Sequence, residues 1–459
     1  MRGLWFMGNL LTSILNTANA LQAYEDALTV TQNNVVNAST PGYVKQTQSF
    51  QALPFDLSVG LPGGVSAGPV LSSRDAFAEQ SVRDQQTALG LYQQKVSDLT
   101  PLQSYFDLSS TTGLAPAMDD LFSSFSQLSV NPNDTVSRQD VLNKAETVAQ
   151  QFQDTASGLL GQGANIDQQT RSTISSINHL AGIIAEVNSN NRVDPSGNIN
   201  AGLDAELNSS LEQLSQYVNF TALQQPDGTI SVFIGGQTPL VVGNQVYDIQ
   251  GDFSTAQTAI LSSTGADISG TITGGQLSAL LDDKNSVLPS YVSDLNTLAG
   301  TLADQVNSTL AGGVDQNGAS PSTDLFNYDP SIGAALTLTV NSLTPDQIAA
   351  ATPDAPGGNG NAVALGQLAS AKTVNGYTFA QFYGNLGGRV GNDLSSAQDS
   401  QTTKQNLLSQ AQSLREQVSG VSLDQEAEHL IAFQRSYQAT AKMLSVLNDL
   451  TETLMNVIP

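Results

Sequence analysis

Apolar residues recur every three or four positions over most of this chain, then every second position over a short central stretch. The first helical pattern covers about residues 8–37, with Leu11, Ile14, Ala18, Leu21, Leu28 and Val35 on one face. Thr40-Pro41-Gly42 ends it, because proline cannot continue a helical ladder and glycine accepts turn geometry. Residues 44–78 read as extended and loop structure, punctuated by Pro54, Pro62-Gly63-Gly64 and Gly68-Pro69. Helix resumes over about 78–108, where Val82, Leu89, Tyr92, Val96, Leu99 and Phe106 keep a heptad seam and Pro101 kinks or restarts the helix. Separate helices are expected over 117–129 and 137–160, one carrying Ile166, Ile174, Ile177, Ile184 and Val187, and one carrying Leu203, Leu207, Leu211 and Leu214.

The period then changes to two. Residues 220–223 and 230–234 flank Pro226-Asp227-Gly228, a hairpin signal, and 240–242 and 246–247 continue a small sheet. A heptad helix is expected over 275–310, a strand over 336–340, a loop over 353–361 and helix again over about 378–418. The last helix spans about 423–457, with Leu430, Phe433, Tyr437, Leu444, Leu447, Leu454 and Ile458 as its apolar stripe. The expected fold is mainly α with an inserted small β domain. Long terminal helices pair as a coiled coil, a helical bundle forms a rod, and a β region lies at the far end. Burying one such stripe does not offset the entropy of ordering so long a helix. Both ends are therefore expected to be largely disordered in the isolated chain and to order against neighbouring subunits, with an intramolecular coiled coil as the alternative.

Composition narrows the function. The net charge is −25 with 16 basic residues, and Lys284 is the one basic residue between Arg192 and Lys372. Phosphate recognition needs clustered Lys and Arg, so nucleic acid is a poor partner. The chain has no cysteine, which excludes disulfides and thiolate chemistry. No apolar run reaches the roughly 18 residues of a membrane span. The N-terminal apolar stretch is broken by Gly8, Asn9, Thr12 and Ser13 and does not read as a cleaved signal peptide. The two histidines, His179 and His429, lie in helical patterns without metal-ligand spacing, although Glu426 and Glu428 neighbour His429. There is no nucleophile elbow, and the glycine pairs lack the ending of a phosphate loop. No catalytic, cofactor or metal residue is assigned. A secreted adhesin or hydrolase with helical stalks is the alternative of a different class.

Two segments carry a family resemblance. Thr31-Gln32-Asn33-Asn34-Val35-Val36-Asn37-Ala38-Ser39-Thr40-Pro41-Gly42-Tyr43 resembles the N-terminal signature of flagellar axial proteins. Residues 419–426, Ser-Gly-Val-Ser-Leu-Asp-Gln-Glu, with 433–439, Phe-Gln-Arg-Ser-Tyr-Gln-Ala, resemble its C-terminal partner. The Ser-Gly-Val-Ser-Leu-Asp run, residues 345–351 with 358–365, and Gly202-Leu203-Asp204 are similar to the hook-associated protein 1 family. The likeness begins at Met7, a candidate start, and the β region is short for the family.

The resemblance implies a structural subunit, not an enzyme, that joins hook to filament. Rod and hook subunits are the alternatives within the group. It implies 1–43 and 422–459 as the inner core, 44–218 and 376–421 as the helical rod with 273–312 as its long helix, and 219–272 and 313–375 as outer β regions. It also implies an extracellular place in the flagellum, reached by type III export without a cleaved signal. The implied partners are copies of itself, hook protein, the third hook-associated protein, an export chaperone and the export apparatus. Within the N-terminal motif, Asn33, Asn34 and Asn37 can bond backbone groups across subunits or act as a local helix cap. Pro41-Gly42 reads as a turn before Tyr43, and Phe433 and Tyr437 read as packing residues. Leu444→Asp or Leu447→Asp is expected to block incorporation into flagella while the central domains stay folded. Motility assays and circular dichroism of the purified variants check this, and normal motility would count against the stripe.

Overall fold

The structure, a computed structural model, describes residues 2–56, 61–106, 112–190 and 200–457. Helix α1 (Arg2–Val36) leads into an antiparallel hairpin, β1 (Gln46–Asp56) and β2 (Leu61–Ser72). Then come α2 (Ala76–Leu99), a 3-10 turn (Pro101–Phe106), α3 (Leu114–Val130), α4 (Thr135–Asn190) and α5 (Ala201–Tyr217). Strands β3 (Phe220–Gln224), β4 (Ile230–Ile234), β5 (Thr238–Val242) and β6 (Gln245–Val246) form an antiparallel sheet in chain order. Strands β7 (Gln250–Asp252) and β8 (Ala259–Leu261) form a separate pair. Helices α6 (Gly275–Asp282) and α7 (Leu288–Ala311) are joined by a π-helical turn, Asp283–Val287. Strand β9 (Phe326–Asn327), helix α8 (Ala334–Thr337), strand β10 (Thr339–Val340) and helix α9 (Gly360–Gln367) follow, with β9 paired to β10. Helices α10 (Phe379–Ser419) and α11 (Leu423–Val457) finish the chain. The architecture is mainly α with a small sheet region, as the patterning predicts.

Local chemistry sets the helix starts. Asp75 accepts from the Ala78 amide at the head of α2, and Asn200 accepts from Gly202 and Leu203 at the head of α5. Thr378 and Gln381 form a reciprocal capping box on α10. Two hydrophobic cores lie along α4. Its first half, Val141 to Ile166, packs with α3, α7, α9 and the first part of α10. Its second half, Ile174 to Val187, packs with α5, α6 and the inward side chains Val232, Ile234, Leu240 and Val241 of the sheet. Helix α6 serves both cores, giving Leu280 to the first and Leu277 and Leu281 to the second.

Several expectations need correction. The two helices expected over 137–187 are one helix of 56 residues. Gly158, Gly161 and Gly163 lie inside it, and Gly158 makes room for Tyr105, whose ring an added Cβ would approach to 2.5 Å. The heptad helix over 275–310 is interrupted by the π turn. The strand expected over 336–340 survives only as β10. Residues 334–337 turn helical instead, held by the Ala335 amide donating to Asn296 and the Thr337 hydroxyl donating to the Gly333 carbonyl. Much of 313–375 is not peripheral, because Leu325, Phe326, Leu338, Ile348 and Val374 are buried in the first core.

The chain ends also differ from expectation. Both are helical and packed together in the single chain. Among the described side chains of α1 the buried ones are Thr17, Ala23, Ala27, Thr31 and Asn34, whereas Leu11 and Val35 of the expected stripe are exposed. Helix α1 packs against α11 and against both hairpin strands, and small residues on its buried face let these backbones approach closely.

Arg138 is the largest fully buried side chain. Its guanidinium donates to the carbonyls of Pro132 (2.7 Å) and Ile348 (2.6 Å), tying the start of α4 to the 345–348 turn. Burial lowers its pKa despite the nearby Asp315 and Asp346. Arg138→Met is expected to cost about 2–4 kcal/mol by leaving those carbonyls buried without donors. Denaturant unfolding of the two proteins measures the difference.

Candidate assembly latch at the joined chain ends

Asn34 occupies the point where both ends of the chain meet. Its side chain is 1% exposed and fully bonded. Oδ1 accepts from the Gln46 amide and from the Tyr43 hydroxyl, each at 2.9 Å. Nδ2 donates to the Gln46 carbonyl at 2.8 Å and to Glu426 Oε2 at 2.9 Å. The Glu426 carboxylate, also 1% exposed, is paired with Lys45 Nζ at 3.3 Å, with the half-exposed His429 imidazole beside it. A second backbone link lies alongside, with the Lys45 amide donating to the Ser419 carbonyl and the Asp75 amide to the Ser419 hydroxyl. Burial raises the Tyr43 pKa, and the Glu426 charge adds to the rise.

An aromatic cluster continues this junction along the helices. Phe50 of β1 lies 5.8 Å from Tyr24 of α1 and 5.9 Å from Phe433 of α11, ring centre to ring centre. The His429 ring lies 5.9 Å from Phe433, tilted to it by 41°. Hydrophobic area and favourable ring geometry thus reinforce the polar contacts.

The turn after α1 is anchored separately. Gly42 has φ +76°, and a Cβ there would lie 2.2 Å from the Ala205 carbonyl oxygen of α5, so only glycine fits. The Gly42 carbonyl accepts from Arg74, which also binds Asp204 and Glu79. Glu79 meets Arg415 of α10, and Arg415 meets Glu212 of α5 at 2.6 Å. This half-buried chain of charges connects the motif turn to α2, α5 and α10.

Each sequence-assigned residue has a defined place. Asn34, Tyr43 and Gly42 make the contacts above. Asn37 caps α1 locally, its Nδ2 donating to the Asn33 carbonyl at 3.0 Å and its Oδ1 accepting from Thr40. Asn33 and Pro41 are exposed and line an open cleft against α5. On α11, Leu430, Phe433, Tyr437, Leu444 and Leu447 are half-buried, Leu454 is exposed, and Ile458 lies outside the described residues. Lys45, Tyr24, Phe50, Arg74, Glu79 and Arg415 were not found by sequence reading. No local spacing marks them, because most of their partners lie far away along the chain. Among the described residues no cluster of three or more metal-binding side chains occurs, and no helix is long and apolar enough to cross a membrane.

Comparison with known proteins fits this arrangement. The family profile for the flagellar hook-associated protein FlgK helical domain matches residues 99–326, and that for the flagellar basal body rod FlgEFG protein C-terminal matches residues 412–457. Flagellar hook-associated protein 1 of Bacillus subtilis is 27% identical over 498 positions, covering 96% of this chain and 97% of that protein. The chain belongs to the FlgK family. Flagellar hook-associated protein 1 of Escherichia coli is 25% identical over 554 positions, covering 97% of this chain and all of that protein. That alignment is longer than the 459 residues here, so the FlgK relative carries insertions that this chain lacks. The solved structure of the flagellar hook junction protein FlgK from Burkholderia pseudomallei superposes with a TM-score of 0.66 at 18% identity, covering 74% of this chain and 100% of that one, and shows the same fold.

In this FlgK-family chain Asn34 joins residues nearly four hundred positions apart. Asn34→Ala is expected to leave the Glu426 carboxylate and the Gln46 backbone buried with fewer partners, costing about 2–4 kcal/mol. Amide hydrogen exchange in α1 and α11 should quicken first. Unchanged exchange there would show that the latch does not hold the ends together.

Proposed function

We propose that this chain is the structural adaptor between the flagellar hook and the filament, polymerising through its paired terminal helices. The observation that carries the reading is the apolar surface left over once α1 and α11 have paired. Ile431, Met443, Val446, Leu450 and Met455 of α11, with Leu11, Leu15 and Val36 of α1, remain exposed along the pair. Large apolar side chains left exposed along paired helices are unfavourable in water and favour a contact surface. Its occupants are neighbouring copies, with hook protein at one end of the stack and the third hook-associated protein at the other. Aspartate and glutamate outnumber basic residues 41 to 16, which suits a solvent-facing surface around such a core.

The match of residues 412–457 to the rod-protein profile supports α11 as the element shared with other axial subunits. Delivery follows from this place in the flagellum. The chain would pass the type III export apparatus, escorted by an export chaperone, and end outside the cell. The absence of cysteine from the sequence is compatible with that route.

Gene disruption tests the reading. Cells are expected to build complete hooks and to secrete filament protein without assembling it, as seen by electron microscopy and immunoblotting of the medium. Filaments at normal frequency would overturn the junction role. Loss of hooks would favour a rod or hook subunit.

A further inference from the structure

We propose that Asp98 of α2 and Asp283 of the π turn share one proton at neutral pH, and that this proton clasps α2 to the joint between α6 and α7. Both side chains are 1% exposed. Helix α2 packs against α6, which runs into the π turn, and each of the two carboxyl groups acts on the other. Asp98 Oδ1 accepts from Gln94 at 2.9 Å and from Gln169 of α4 at 3.4 Å. Asp98 Oδ2 and both oxygens of Asp283 have no donor from the protein. Two bare carboxylates in that position would repel each other with nothing to offset their desolvation. One proton between them turns the repulsion into a charge-assisted hydrogen bond and satisfies two of the stranded oxygens.

The surrounding charges are already engaged. Lys95 of α2 pairs with Asp282 of α6, and Lys284 of the π turn pairs with Asp167 of α4 at 2.7 Å while also donating to the Gly163 carbonyl. Further along α7, the Tyr291 hydroxyl donates to Asp393, and Arg389 of α10 pairs with Asp294. Lys95 acts on Asp283 at longer range but does not bond to it. The pair sits where the two hydrophobic cores abut, since α6 contributes to both. The π turn is the irregular element that brings Asp283 inward, as such turns commonly do at functional positions. Gln94 and Gln169 also line an open cleft of about 590 Å³, whereas neither acid does.

Burial raises both acids above their ordinary value of 3.8, Asp98 to about 6 and Asp283 to about 8. A folded-state value above the unfolded one means stability that is full below about pH 4 and is lost as pH rises through 6 and 8. The chain has two histidines and no cysteine, so few other side chains titrate between pH 6 and 9.

The test uses the full-length protein and the variants D283N and D98N. Each replaces one acid by an amide that can donate permanently to the other. Wild type is expected to lose thermal stability between pH 6 and 9, and either variant to lose most of that dependence. A variant carrying H179Q and H429Q is expected to keep it. Infrared difference spectroscopy at pH 7 should show a protonated carboxyl band in wild type that is absent from D283N. The proposal is overturned if that band is missing from wild type, or if both aspartate variants keep the wild-type pH dependence.

Discussion

The structure depends on one buried contact, the amide of Asn34 facing the carboxylate of Glu426. A charge with almost no solvent exposure must be surrounded by donors or it unfolds its own environment. Here one donor comes from the first helix and the paired cation, Lys45, from the start of the hairpin, while the acid itself belongs to the last helix. Removing any one of the three elements strands the others. The motif at one chain end and the motif at the other are therefore two halves of a single polar site. The same site fixes the register in which α1 and α11 pair, because an amide with two donors and two accepting positions tolerates no axial slip. Aromatic rings of Tyr24, Phe50 and Phe433 then extend the contact with apolar area.

This contact explains why the isolated chain already has ordered ends. Periodicity alone gives α11 a stripe that one partner helix cannot cover well enough. The hairpin changes that balance. Strands β1 and β2 lie against α1, so the first helix has three neighbours and not one. The cost of ordering two long helices is shared with a sheet that is itself tied to Asn34 through Gln46. Large apolar residues such as Leu11 on α1 and Met455 on α11 stay exposed in this arrangement. Under the proposed role, pairing and polymerising use different faces of the same two helices.

Much of this was legible in the residues and some was not. Helix α11 follows from the 3.6-residue period, and five residues of its expected stripe, Leu430, Phe433, Tyr437, Leu444 and Leu447, are half-buried. Helix α10 was expected over about 378–418, and the sheet follows from the switch to period two around Pro226-Asp227-Gly228. The stripe of α1 was misread because size was taken as a guide to burial. Ala23, Ala27 and Thr31 are inside because three neighbours approach closely, and no one-dimensional pattern carries that information. Helix α4 was divided, yet its glycines at 158, 161 and 163 lie inside one helix. Gly158 is present for Tyr105, a residue some fifty positions earlier. Arg74, Glu79 and Arg415 were invisible for the same reason: each is an ordinary surface charge until the fold brings α2, α5 and α10 together. The sequence motif named Asn34, but its partner had to be seen.

The scarcity of charge sharpens the meaning of each buried one. With only 16 basic residues, a random arrangement would place few of them inside. Yet Arg138, Arg74, Arg415 and Lys45 all sit at junctions between elements distant along the chain. Polar contacts are directional, whereas apolar ones are not. Long, similar amphipathic helices can slide past one another by a heptad with little loss of apolar burial, so a bundle built from them needs markers that permit one alignment only. Arg138 marks the 345–348 turn against α4, the Arg74–Glu79–Arg415 chain marks α2 against α10, and Asn34 with Glu426 marks the two ends. Under the proposed role, a subunit that presents the same face to every neighbour in a stack tolerates one register only. Its few internal charges therefore specify alignment more than they add stability.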